Sequence, residues 1–276
     1  FKKEYIDEPS HSYVKQLKKK GCEFTTKKIG VELAASLKRM GVSLEEIKLE
    51  VEEIKPTLKD KDPQTIYVGY RSLFDPHPYL RNVVKIEFSV RSLVEPFETV
   101  KIQSVLWQYF PNSSYQEQLF EIRATHPRKT LLEKMFLLHE KFQIIDRNKI
   151  IPEKIKLERG SRHLFDIVQL NDKGVTDQLL NDTLFYEKLL LHRKYWVRQK
   201  GIDYNTLKPA TLNFRPPAKL VEIYKADYTT MRAEMIYGSS DDFEILLNKI
   251  SILNERISKM ILSPIGQQLT TPLVML

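Results

Sequence analysis

The stretch Lys129–Phe142, KTLLEKMFLLHEKF, decides how the rest of the chain is read, because the sequence pattern changes on either side of it. Its apolar residues Leu131, Leu132, Met135 and Leu138 recur at helical spacing, and one cation, Lys134, stands among them. About thirty residues on, Gly160–Leu170, GSRHLFDIVQL, repeats the arrangement with the opposite sign, Asp166 sitting among Leu164, Phe165, Ile167 and Leu170. A lone charge in an apolar stripe calls for a partner or a ligand, since an unpaired buried charge costs several kcal/mol.

Upstream, the periodicity is mostly that of strands. Ile47–Ile54, Thr65–Tyr70, Val83–Val90 and Glu98–Ser104 read as strands, and Phe120–Ala124 is a fifth candidate. Ahead of them lie short basic helices, SYVKQLKKKG and KKIGVELAASLKRMG, each ending on a glycine suited to a left-handed cap, Gly21 and Gly41. From Pro127 onward helical patterns dominate, over 128–146, 159–171, 176–198, 216–237 and 241–262. Strands first and helices after define an α+β protein. Residues 1–126 are expected to hold a mixed or mostly antiparallel sheet flanked by helices, 127–262 to form a helical region, and 263–276 to be a tail without helical periodicity.

With 276 residues, 42% hydrophobic and 29% charged, the chain can bury one large core or two modest ones. The balance of 44 Lys+Arg against 36 Asp+Glu leaves +8, which suits a polyanionic partner, although basic proteins without one are common. A single cysteine, Cys22, excludes an intrachain disulfide and a cysteine-based metal cluster. Neither a run of about eighteen apolar residues nor a secretory leader is legible, so the chain reads as cytoplasmic, without a membrane partner.

Alternation in Asn82–Arg91, NVVKIEFSVR, places Lys85, Glu87, Ser89 and Arg91 on one face of a strand and Val84, Ile86, Phe88 and Val90 on the other. Glu87 there is either a metal-binding or proton-accepting carboxylate or half of a solvated pair with Lys85 or Arg91. Thr130 and Glu133 have the spacing of a capping box, which would put Lys134 in the first turns of its helix, beside a site suited to phosphate. The plainer alternative pairs Lys134 with Glu133 or Glu140. Ser161 can cap the next helix, with Arg162, His163 and Asp166 on adjoining turns; Asp166 then holds Arg162 or Lys134, or orients the lysine within a cleft.

The remaining histidines show no metal-ligand spacing, and P-loop, GxGxxG and GxSxG motifs are absent. His192–Trp196, HRKYW, followed by Arg198, is either a stacking and phosphate-binding surface or a basic helix end that favours the helix dipole.

Taken in order, KTLLEKMFLLHEKF, GSRHLFDIVQL, LHRKYWVRQKGIDYNTLKPATLNFRPP and LVEIYKADYTTMRAEMIYGSSDDFEILLNKISILNERI resemble the AbiEii/AbiGii toxin family over about residues 60–257. These are nucleotidyltransferase-like proteins of the DNA polymerase β superfamily, found in bacterial toxin–antitoxin and phage-defence systems. The resemblance implies transfer of a nucleotide from an NTP with Mg²⁺, the tRNA 3′ end being the favoured acceptor, and a cognate antitoxin encoded nearby. By motif, Lys134 takes the place of the triphosphate-contacting lysine and Asp166 that of the acid supporting it. Arg162 is a second candidate toward the nucleotide, and Glu87 is the candidate third, metal-binding acid.

The resemblance also implies a Gly-Gly-Ser/Thr turn and an Asp-x-Asp pair ahead of the basic helices, and neither stands there. The expectation is that both are encoded before Phe1. Otherwise the chain reads as a non-catalytic nucleotide- or RNA-binding protein that retains the fold.

Overall fold

Each strand-forming run becomes a strand. The structure, a computed structural model, describes residues 6–43, 47–55, 61–75, 77, 81–91, 96–111, 119–148 and 159–262; the expected tail at 263–276 lies outside them. The chain divides into two compact units, Phe1–Ser92 with Leu191–Arg198 and Leu93–Leu190 with Gln199–Leu276.

In the first unit, helix α1 (His11–Phe24) begins at Ser10, whose hydroxyl accepts the Tyr13 N–H at 3.2 Å. It continues through a π-helical turn, Thr25–Ile29, into α2 (Gly30–Arg39). Gly41 ends α2 in the left-handed region, φ 79°, as expected. Gly21 does not end a helix. It is buried inside α1, where a Cβ would stand 2.3 Å from Val90 Cγ1, so glycine serves close approach rather than a cap. Strands β1 (Ile47–Val51), β2 (Gln64–Tyr70) and β3 (Val83–Phe88) form an antiparallel sheet in that order. Fully buried Ile66 faces Val51 on one neighbour and Ile86 on the other. Cys22 is buried and donates to Gln64 Oε1 at 3.1 Å, an inert role.

The basic segment after His192 packs into this unit. Trp196 is 5% exposed, stacks on His192 and donates its indole N–H to the Ile6 carbonyl at 2.9 Å. Trp196 is therefore part of the core and is not free to stack on a base.

In the second unit, β4 (Phe97–Ile102) and β5 (Phe120–Thr125) form a separate antiparallel pair, with α3 (Val105–Tyr109) between them in sequence. The α+β class holds, and every described ladder is antiparallel. Then come α4 (Pro127–Arg147), α5 (Arg162–Asp172), α6 (Val175–Leu180), α7 (Thr183–His192), α8 (Val221–Glu234) and α9 (Phe243–Ser258). The pattern over 176–198 is several helices, not one. Asp182 Oδ1 accepts the Phe185 N–H at 3.0 Å and starts α7, whose last turn gives way to a π-helical turn, Arg193–Val197.

The core of this unit sets the apolar face of α4 against α5 and α6, with α9 packed on α5. Leu131, Leu132, Met135, Phe136 and Leu138 share one buried cluster with Leu164, Ile167, Leu246, Ile250 and Ile257, all 1% exposed or less. At about 1.5–3 kcal/mol for each such side chain, this packing fixes α5 on α4. Polar groups tie in the connections: Tyr186 donates to the Leu207 carbonyl at 2.7 Å, and Asn254 Oδ1 accepts the Phe214 N–H at 2.9 Å.

Candidate functional site

Helix α4 starts at Pro127, with His126 Nδ1 accepting the Arg128 N–H at 3.3 Å. Proline suits the first helical position because an N–H there has no partner within the helix. The Thr130–Glu133 spacing therefore lies inside the helix, and the expected start at Thr130 is corrected by one turn. Lys134 becomes the eighth residue of α4, beyond the reach of the helix-start N–H groups. Its ammonium is held instead by Asp166 of α5, at 2.6 Å. Of the alternatives left open by the sequence, the structure selects this pair across two helices. The side chains are 21% and 39% exposed, so the pair adds little to stability and its effect is to fix the lysine's position.

What fixes the start of α5 is Asp227 of α8, a residue outside the candidate set drawn from the sequence. Its Oδ2 accepts the Ser161 N–H at 2.8 Å and the Ser161 hydroxyl at 2.5 Å, while Oδ1 accepts the Arg159 N–H at 3.0 Å. Ser161, fully buried, thus does not cap its own helix; its hydroxyl is spent on the aspartate. Arg159 turns the chain with φ 55°, a left-handed conformation unusual outside glycine. A signal for Asp227 was present in the sequence: it shares a helical face with buried Tyr224, Tyr228 and Met231.

Between these two anchors lies His163, close to Lys134, Arg162, Lys141 and Asp166. Burial first, then the cations Lys134, Arg162 and Lys141, push its pKa down to about 4 against the opposing pull of Asp166, so the ring is neutral at physiological pH. Its Nδ1 is buried with no hydrogen-bond partner among the described residues. Lys141 is held below the usual lysine range by burial, with Arg162 adding to the effect and Asp227 opposing it. It lies seven residues after Lys134, on the same face of α4. The site is a half-buried cluster with more cationic than anionic groups, suited to an anionic ligand. Arg162 is exposed at the start of α5.

Glu87 belongs to the first unit, on β3, and its carboxylate takes the Lys85 ammonium at 2.8 Å on a half-exposed face. An Asp-x-Asp spelling does occur after the basic helices, at Asp60-Lys61-Asp62, with Asp60 outside the described residues. The Asp62 carboxylate accepts from Ser89 Oγ at 2.8 Å, the Val90 N–H at 2.9 Å and Arg91 Nε at 2.5 Å, which makes it a structural clasp. Among the described residues no three His, Cys, Asp or Glu side chains are placed to hold a metal ion. With Asp166, Glu87 and Asp62 each ion-paired, these residues do not fit a Mg²⁺ site by themselves. His139 is a satisfied core histidine, Nδ1 accepting the Asn213 N–H at 2.9 Å and Nε2 bonded to Thr206 Oγ1 at 2.9 Å.

Comparison with known families places the chain in a class of nucleotidyltransferase type. The chain belongs to the family described as nucleotidyl transferase AbiEii toxin, Type IV TA system, which matches residues 22–249. No curated protein and no solved structure matches it. Among the described residues no helix is long and apolar enough to cross a membrane.

Proposed function

We propose that the protein is the toxin of a toxin–antitoxin pair and transfers a nucleotide from an NTP, with Mg²⁺, to an acceptor hydroxyl, most favourably at the tRNA 3′ end. The observation that carries this reading is the Lys134–Asp166 pair at 2.6 Å within the family-matched region. In nucleotidyl transfer the acceptor hydroxyl gives up its proton to water as its oxygen bonds to the α-phosphorus, the bond from that phosphorus to the α,β-bridging oxygen breaks, and pyrophosphate leaves with that oxygen and the displaced electron pair. Lys134 places a fixed positive charge where negative charge grows on the departing phosphates, and Asp166 keeps that charge aimed. Lys141 and Arg162 extend the positive field. The +8 charge of the chain favours an RNA acceptor. A cognate antitoxin is expected from the family.

The test is incubation of the full-length protein with each labelled NTP, Mg²⁺ and total tRNA, followed by electrophoresis. Label moving to the tRNA band is the expected result. Label on protein would replace the acceptor, and no transfer from any of the four NTPs would overturn the enzymatic reading. The ion pairing of the described carboxylates favours one second reading, a protein that binds nucleotide or RNA without turnover.

A further inference from the structure

The first unit contains a groove that the site above does not use. It is lined by His11, Lys15 and Lys18 of α1 and by Tyr195, Trp196 and Arg198 at the end of the His192–Arg198 segment. His11, Lys15 and Lys18 are spaced i, i+4 and i+7, so one helical face delivers all three. Arg198 is brought opposite them by an unusual backbone: it follows the π-helical turn in a left-handed conformation, φ 44° and ψ 51°, with its N–H on the Arg193 carbonyl at 3.0 Å. Such a conformation in a non-glycine residue costs about 1 kcal/mol or more and persists only where its surroundings impose it.

Charge on this side is lopsided. From His11 to Ile29 the chain has Lys15, Lys18, Lys19, Lys20, Lys27 and Lys28 against Glu23 alone. Among the described residues no acidic side chain lines the groove, and nearby Glu8 is engaged with the Tyr195 hydroxyl. Trp196 forms a rigid wall, and the Tyr195 ring lies at the lip with Lys194 Nζ 5.4 Å from its centroid. Converging cations with an aromatic edge are the chemistry of a polyanionic strand that carries bases.

We infer that this groove holds the phosphodiester backbone of an RNA. This rests on the reading of RNA as the acceptor, but it concerns binding and is tested without turnover. A fluorescein-labelled tRNA transcript is titrated with the full-length protein and with K15Q/K18Q/R198Q, across a salt series. The comparison is K173Q/K200Q/K208Q, which removes equal charge from exposed positions of the second unit. The groove variant is expected to bind at least ten-fold more weakly than the comparison variant. The slope of log K against log salt should also fall by about 2, at ~0.7–0.9 for each phosphate no longer neutralised. Equal affinity and slope for the two variants would overturn the groove, as would no tRNA binding by the wild type. If the triple variant melts early, the single change K15E at an exposed helix position carries the same comparison. Selective loss of binding with no transfer by the wild type leaves the groove standing and removes the enzymatic reading. Transfer with binding indifferent to the groove does the reverse.

Discussion

Asp227 grips Ser161 twice, by its N–H at 2.8 Å and by its hydroxyl at 2.5 Å, across sixty-six residues of sequence. The same carboxylate takes the Arg159 N–H, so the start of α5 is set from α8 rather than by its own cap. Because Asp166 and His163 lie within the first two turns of α5, the aim of Lys134 depends on a residue that does not touch it.

Asp227→Ala should therefore cost about 2–3 kcal/mol in urea unfolding, since it strands two N–H groups and a buried hydroxyl. Ser161→Ala should cost about 1 kcal/mol, and the double variant should fall short of the sum, because both changes break the same interaction. Additive losses would show that the carboxylate acts elsewhere.

Lys134→Ala and Asp166→Ala are expected to abolish transfer of labelled nucleotide while melting within a few degrees of the wild type. A partly exposed pair contributes less than about 1 kcal/mol, so loss of activity here is not loss of fold. Transfer at the wild-type rate by either variant would remove that residue from its role.

His163 gives a pH signature. Its folded pKa, about 4, lies below the unfolded value, so between about pH 6.5 and 4 the unfolded chain binds a proton that the folded chain refuses. Stability should be flat above this window and fall by roughly 2 kcal/mol as pH drops through it, after allowance for partial exposure. The His163 ring proton should not shift in NMR between pH 8 and 5.5, and His163→Gln should remove its share of the pH slope. A ring titrating near 6.5 would contradict the placement.

Gly21→Ala runs against helix propensity. In an open helix the change would stabilise by up to about 1 kcal/mol, but here the new methyl meets Val90 and should destabilise by about 1–3 kcal/mol in thermal or urea melts. The pair Gly21→Ala with Val90→Ala should recover part of the loss.

Strand alternation at 47–51, 83–88 and 120–125 and the helical stripe of 127–147 were legible because each is a local pattern with a fixed period. The Lys134–Asp166 pair was legible for a related reason: two opposite charges, each alone on an apolar face, are the simplest solution to each other's burial. What local pattern could not give was long-range choice. Whether Gly21 ends a helix or makes room for Val90, and whether the Ser161 hydroxyl caps its own helix or meets Asp227, depends on segments distant in the sequence. Trp196 was misleading because its basic neighbours suggest a surface while its ring lies inside.

The π-helical turn at Thr25–Ile29 makes the length of this helix as consequential as its composition. Deleting one residue there would restore the ordinary winding and rotate everything before it by about 100° relative to α2. The face bearing His11, Lys15 and Lys18 would then turn away from Arg198 without the loss of a single charge. At this turn the gene is expected to tolerate substitutions and to resist insertions and deletions, the opposite of a surface loop.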